Sequence, residues 1–151
     1  MEDKKKEGRY ARIHKQLDDL LMKTDDPLAR MASICAVLHH KMDYYFWTGF
    51  YLLEDGELIV GPYQGPVACI LLEKDKGVCW AGVNKAESIV VSDVHDFPGH
   101  IACDSRSNSE IVVPLKSSDG RVIGVLDVDS SEKASFDEID AKWLEKIVNL
   151  L

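Results

Sequence analysis

The sequence predicts an α+β domain, an antiparallel sheet with N-terminal helices and a C-terminal helix packed on one face. Three observations carry this. Apolar residues recur at helical spacing near both ends of the chain. Short β-branched and aromatic runs lie between them. Two of the intervals between runs, Glu54-Asp55-Gly56-Glu57 and Ser117-Ser118-Asp119-Gly120, have hairpin-turn chemistry.

The first helix is expected from about Arg9 to Lys23, with Ile13, Leu17, Leu20 and Leu21 on its apolar side. Residues 1–8 read as a flexible lead-in. Asp26 suits an N-cap and Pro27 a first-turn residue, so a second helix should run to about Met42. It would bury Leu28, Met31, Ile34, Cys35 and Leu38. Phe46 to Leu53 and Leu58 to Tyr63 form a predicted hairpin. Val67 to Leu72 is a third apolar run, Gly77 to Val83 a short helix, and Ser88 to Val91 a brief strand. A second hairpin joins Glu110–Lys116 to Arg121–Asp129. Ser135-Phe136-Asp137-Glu138 matches a capping box, and Ile139, Trp143, Ile147 and Leu150 would line the last helix. No repeat or low-complexity linker interrupts the chain, so its 151 residues read as one domain.

Charge and composition exclude several classes. The formal net charge of -8 argues against binding the phosphate backbone of nucleic acids or an anionic membrane. No apolar run reaches the roughly 18 residues of a membrane span. No hydrophobic segment follows the N-terminal charges, which argues against a secretory signal. A cytosolic, reducing location is expected, and there the 4 cysteines are thiols at rest.

Chemistry concentrates between His95 and Pro114. This segment holds two histidines, a cysteine, several carboxylates and a Pro98-Gly99 turn. Cys103 lies in it beside Asp104, Ser105 and Arg106. A loop thiol becomes a nucleophile when its thiolate is stabilised and reachable, as Arg106 or a helix-like turn at the loop's end would allow. The other reading is an inert, half-buried thiol. Cys69 and Cys79 suggest a redox couple or a metal site, or simple packing. Cys35, among apolar helix positions, reads as core. A structural zinc is disfavoured because no C-x2-4-C pair is present. His39 and His40 read as surface residues of the second helix.

Glu110, Asp127 and Asp129 form a second cluster. Residues two apart on a strand share a face, so Asp127 and Asp129 point the same way. They either end a solvent-facing strand or line a pocket. A crowded carboxylic acid keeps its proton, and one beside an ammonium stays ionised. Such a pocket would suit a zwitterionic small molecule, with Trp47 as an apolar wall.

The blocks Trp47 to Leu52, Gly61 to Gly65, Ala68-Cys69, Gly77-Val78-Cys79, Asp93-Val94-His95, Gly99 to Asp104, Ser107 to Val112 and Gly124 to Ser130 together resemble the free methionine-(R)-sulfoxide reductases, single-domain proteins with a GAF fold. The resemblance runs from about Ala29 onward. It implies reduction of free L-methionine-(R)-sulfoxide by the cysteine matching Cys103, through a sulfenic acid. It further implies that Cys69 closes a disulfide with Cys103, which thioredoxin reduces, and that Cys79 relays or substitutes. No cofactor is implied, since the electrons come from thioredoxin. Glu110, Asp127 and Asp129 would bind substrate, with Trp47 against its methyl group. A homodimer through the N-terminal helices is compatible with this family. One departure is Trp80, where the family carries small residues; a bulky ring there is expected to reshape the pocket mouth or to shift Cys79. The alternative from another class is a GAF module that binds a small molecule without chemistry, and a metal-binding or structural domain ranks third.

Overall fold

Asp26 accepts a hydrogen bond from the Ala29 backbone N–H, and Pro27 opens the helix behind it. Local sequence chemistry thus sets this boundary. A computed structural model describes residues 1–100 and 103–151; Ile101 and Ala102, part of one motif quoted above, lie outside the described residues. The helices are α1 (Asp3–Leu21), α2 (Pro27–Lys41), α3 (Gly77–Lys85) and α4 (Glu138–Val148). The strands are β1 (Trp47–Glu54), β2 (Glu57–Gln64), β3 (Leu71–Leu72), β4 (Ile89–Val91), β5 (Ser109–Lys116) and β6 (Val122–Ser130). A short 3-10 turn covers Val94–Asp96.

The strands form one antiparallel sheet in the order β3-β2-β1-β6-β5-β4. Alternation along each strand separates two cores. On one face Phe50, Ile111, Val113, Leu126 and Val128 meet Tyr10, Leu17, Ile34, Leu38 and Leu144 of α1, α2 and α4. On the other face Tyr51, Leu58, Val112 and Val125 meet Val78, Cys79 and Trp80 of α3. The α+β expectation, with terminal helices on one face, agrees with this arrangement. The short α3 leaves its own face incompletely covered, and the site forms there.

Several local expectations are corrected. Residues 3–8 are not a lead-in: α1 begins at Asp3, and Lys6 is buried with its Nζ 2.8 Å from Asp140 Oδ2. The partner comes from the far end of the chain, so local charge pattern could not reveal it. The cap of α4 is Asp137, whose carboxylate accepts from Ile139 and Asp140 while Asp140 returns to the Asp137 N–H. Ser135 Oγ bonds Ser130 Oγ instead, at 2.7 Å. The buried side of α4 is carried by Asp140, Leu144, Ile147 and Val148, while the expected Ile139, Trp143 and Leu150 pack partly buried against the same core. Leu28 is 63% exposed rather than core. Of the run from Val67 to Leu72, Leu71 and Leu72 pair with β2, while Val67 and Ile70 face solvent. Among the described residues no helix is long and apolar enough to cross a membrane.

Candidate active site

Register places the floor of the site. Trp47 pairs with Asp129 across β1 and β6, and Glu110 pairs with Asp129 across β5 and β6. One step along, Gly49 and Val112 flank Asp127. Alternation sends Trp47, Tyr51, Glu110, Asp127 and Asp129 to the α3 face. Gly49 is required here. A Cβ at that position would lie 2.5 Å from the Trp47 ring and 2.4 Å from Tyr63 Cβ. Without it, the indole lies flat across the strand, stacked on Tyr51 at 5.8 Å and Tyr63 at 5.3 Å between centroids.

The two stacked rings of β1 also hold the loop above them. Trp47 Nε1 donates to the Pro66 carbonyl at 3.0 Å, and Tyr51 donates to the Cys69 carbonyl at 3.0 Å. This clamp fixes the segment that carries Cys69. Cys69 is joined to Cys103 in a disulfide, with Cα atoms 5.5 Å apart. Beneath lies a cleft of about 610 Å³, counting its open mouth. Its lining includes Trp47, Tyr51, Cys79, Cys103, Glu110, Asp127 and Asp129.

Six of the seven residues singled out from the sequence therefore line one cleft, and the seventh, Cys69, is bonded to Cys103 across it. Tyr51, Phe46, His100 and Ser107 also line it and were not singled out. The signal for Tyr51 was available, because it lies four residues after Trp47 on the same strand face. His100 lines the cleft, and burial, then the charge of His95, lowers its pKa. His95 instead faces outward on Asp93, which also holds Lys133 at 3.0 Å. His39 is half-buried and bonded to Thr48 Oγ1 at 3.0 Å, not a plain surface residue.

Trp80 departs from the expected position at the mouth. It is buried against the sheet, its indole N–H directed at the Leu72 carbonyl, and it is absent from the cleft lining. Arg106 pairs within its own loop. Its guanidinium is held by Asp104 at 2.7 and 3.0 Å and lies over the Phe46 ring, 4.9 Å from the centroid. In return Asp104 is held down to about 2, chiefly by these hydrogen bonds.

The floor is electrostatically unusual. Burial raises Glu110 and Asp129 well above the ordinary carboxylate range, with the charge of Asp127 adding to both. Asp127 is also raised by burial, and contacts from Glu110 and Cys79 oppose that rise. Burial and mutual repulsion therefore make the three carboxylates hold protons as a group above the ordinary carboxylate range. None of the ion pairs among the described residues involves these three carboxylates. Burial raises the Cys79 thiol too, followed by the field of Asp127 and Glu110. Cys35, in the helix layer, is pushed up to about 12 by burial and is directed at the Pro62 carbonyl, as a core thiol should be.

An antiparallel sheet with a ligand-sized cleft on one face and a disulfide at its wall defines an α+β protein of the thiol-redox class. Residues 30–151 match the GAF domain family model. GAF domain-containing protein A of Dictyostelium discoideum is 45% identical over 97% of this chain and 92% of its own length. Free methionine-R-sulfoxide reductase of Escherichia coli is 40% identical over 92% of this chain and 84% of its own. The solved structure of free methionine-R-sulfoxide reductase from Neisseria meningitidis, in complex with its substrate, superposes with a TM-score of 0.92 at 41% identity, over 99% of this chain and 89% of that one. The chain belongs to the free methionine-R-sulfoxide reductase family of GAF-domain proteins.

Proposed function

We propose that this protein reduces free L-methionine-(R)-sulfoxide to methionine, with Cys103 as nucleophile. The observation that carries the reading is the Cys69–Cys103 disulfide over a buried acidic floor. The Cys103 sulfur attacks the sulfoxide sulfur, and the sulfoxide oxygen takes a proton as its bond to sulfur breaks. The hydroxyl passes to the Cys103 sulfur as the bond between the two sulfurs breaks, so methionine leaves and Cys103 becomes a sulfenic acid. The Cys69 thiol then attacks the Cys103 sulfur, forming the disulfide and releasing water. A dithiol of the thioredoxin class returns two electrons and two protons, so the electrons come from outside rather than from a resident cofactor.

The acidic floor divides the remaining work. Glu110 and Asp129, whose hold on a proton burial strengthens, are assigned the supply of the proton to the sulfoxide oxygen. Asp127 carries the negative charge that holds the substrate ammonium. The Trp47 ring forms the wall against the methyl group. Cys79, buried on α3 beside the floor carboxylates with its pKa raised, is a weak nucleophile and a secondary thiol rather than the primary partner of Cys103. The same reading includes a cytoplasmic setting and a homodimer through α1 and α2, where Leu20, Met22 and Leu28 are exposed.

Thiol titration before and after adding the free sulfoxide tests the reaction. Two thiols per chain should disappear as methionine is released. Cys103→Ser should abolish both effects, and Cys69→Ser should still release one methionine without added reductant. Unchanged thiols in the intact protein would overturn the proposal.

A further inference from the structure

Cys79 in the first turn of α3, Glu110 on β5 and Asp127 on β6 come from three separate elements. One ligand atom from each lies within 4.8 Å of the other two. All three residues are at least nine-tenths buried, with exposures of 5%, 6% and 5%. A second observation is independent of this proximity. Asp127 Oδ1 is buried and has no hydrogen-bond partner among the described residues. A buried, unpartnered carboxylate oxygen is costly, and a cation would relieve it.

We propose that Cys79, Glu110 and Asp127 form a binding site for a thiophilic divalent cation of the zinc and cadmium class. The donor set chooses the class. A thiolate beside two carboxylates suits soft or borderline ions, whereas calcium and magnesium take oxygen shells of six or more ligands. Tetrahedral zinc–sulfur and zinc–oxygen bonds of about 2.3 and 2.0–2.2 Å place neighbouring ligand atoms roughly 3.4–3.6 Å apart, so side-chain rotations must close the triad by up to about 1 Å around the ion. Three protein ligands leave a fourth position for water or for Asp129, which lines the same cleft. The cleft is the entry path. Binding displaces the protons of the Cys79 thiol and the Glu110 carboxyl, since both must be ionised to ligate. The site shares Glu110 and Asp127 with the substrate pocket of the proposed reaction, but binding of the ion needs no turnover.

The disulfide form of the protein tests this directly, because Cys69 and Cys103 are then unavailable as ligands. Calorimetric titration with zinc chloride should show one ion per chain with proton release. Cadmium should produce a thiolate charge-transfer absorption. Cys79→Ser should remove that absorption and weaken binding at least about tenfold, and Glu110→Gln should weaken binding with the thiolate absorption retained at saturation. Cys35→Ser should leave both unchanged. No stoichiometric binding, or an absorption that survives Cys79→Ser and is lost in Cys35→Ser, overturns the site. Proton release measured on the unaltered protein keeps the test valid if a variant misfolds. Neither failure bears on the sulfoxide-driven loss of two thiols, which tests the reductase reading separately.

Discussion

The molecule buries carboxylates in two places and treats them in opposite ways. On the helix face, Asp140 receives Lys6 at 2.8 Å, the Tyr10 hydroxyl at 2.6 Å and the Tyr44 hydroxyl at 2.5 Å. Tyr45 joins through Tyr10 at 2.6 Å. Every acceptor there has a donor, and the cluster ties α1 to α4 and to the turn before β1. On the site face, Glu110, Asp127 and Asp129 are crowded together, and among the described residues no basic side chain pairs with them and Asp127 Oδ1 has no hydrogen-bond partner. A satisfied buried network specifies structure, whereas an unsatisfied one stores affinity for whatever completes it. The difference separates a structural polar cluster from a functional one without reference to either sequence motif.

Breaking each cluster should therefore give opposite signatures. Lys6→Ala leaves Asp140 buried without its cation and should cost about 3–5 kcal/mol of stability. Chemical denaturation checks this, and turnover of the folded fraction should stay normal. Asp127→Asn should do the reverse: kcat/KM for the free sulfoxide falls about 100-fold, roughly 2.7 kcal/mol, while Tm holds or rises. A variant of Asp127 that unfolds the domain yet keeps its activity would erase the distinction.

The clamp from β1 to the Cys69 loop predicts a smaller effect. Tyr51→Phe removes the hydrogen bond to the Cys69 carbonyl, worth about 1 kcal/mol, and should slow disulfide closure several-fold. Trapping of the Cys103 sulfenic acid should increase correspondingly. Methionine release in the first turnover should fall much less than disulfide closure. Equal slowing of both steps would mean that Tyr51 serves the pocket alone.

The smallest effect is on pH. Glu110 is raised in the fold, so the stability carried by its neutral form is complete below its ordinary value of 4.5. That stability is lost as pH rises toward the folded value. Glu110→Gln should thus flatten the decline of Tm above that point. Asp104 is lowered in the fold to about 2 and has the opposite sign, its contribution being lost as pH falls toward 2. Thermal melts across this range separate the two slopes.

Much of the site could be read in advance because strand alternation is a local property. Asp127 and Asp129 share a face whatever surrounds them, and Trp47 follows from the same rule on β1. The hairpins followed from Asp-Gly turns, and α2 from Asp26-Pro27. Errors arose where the partner was remote. Lys6 looked like part of a solvated charge run until Asp140 arrived from 134 residues away. Ser135 looked like a cap because the competing Asp137–Asp140 pair satisfies the same donors two residues later. Trp80 looked like a residue of the mouth because helix rotation cannot be read from a helix as short as Gly77–Lys85.

By itself the sequence determined the order of helices and strands, the faces of the strands and the residue types available for thiol chemistry. These depend on backbone period and turn conformation, which act over a few residues. The joining of Cys69 to Cys103 across 34 positions was implied only by family resemblance, and its geometry belongs to the fold. That Cys79, Glu110 and Asp127 belong to one site was likewise implied only by the resemblance, and their approach within 4.8 Å belongs to the fold. Tertiary structure decided it, because burial and Coulomb interactions depend on distance in space and not along the chain.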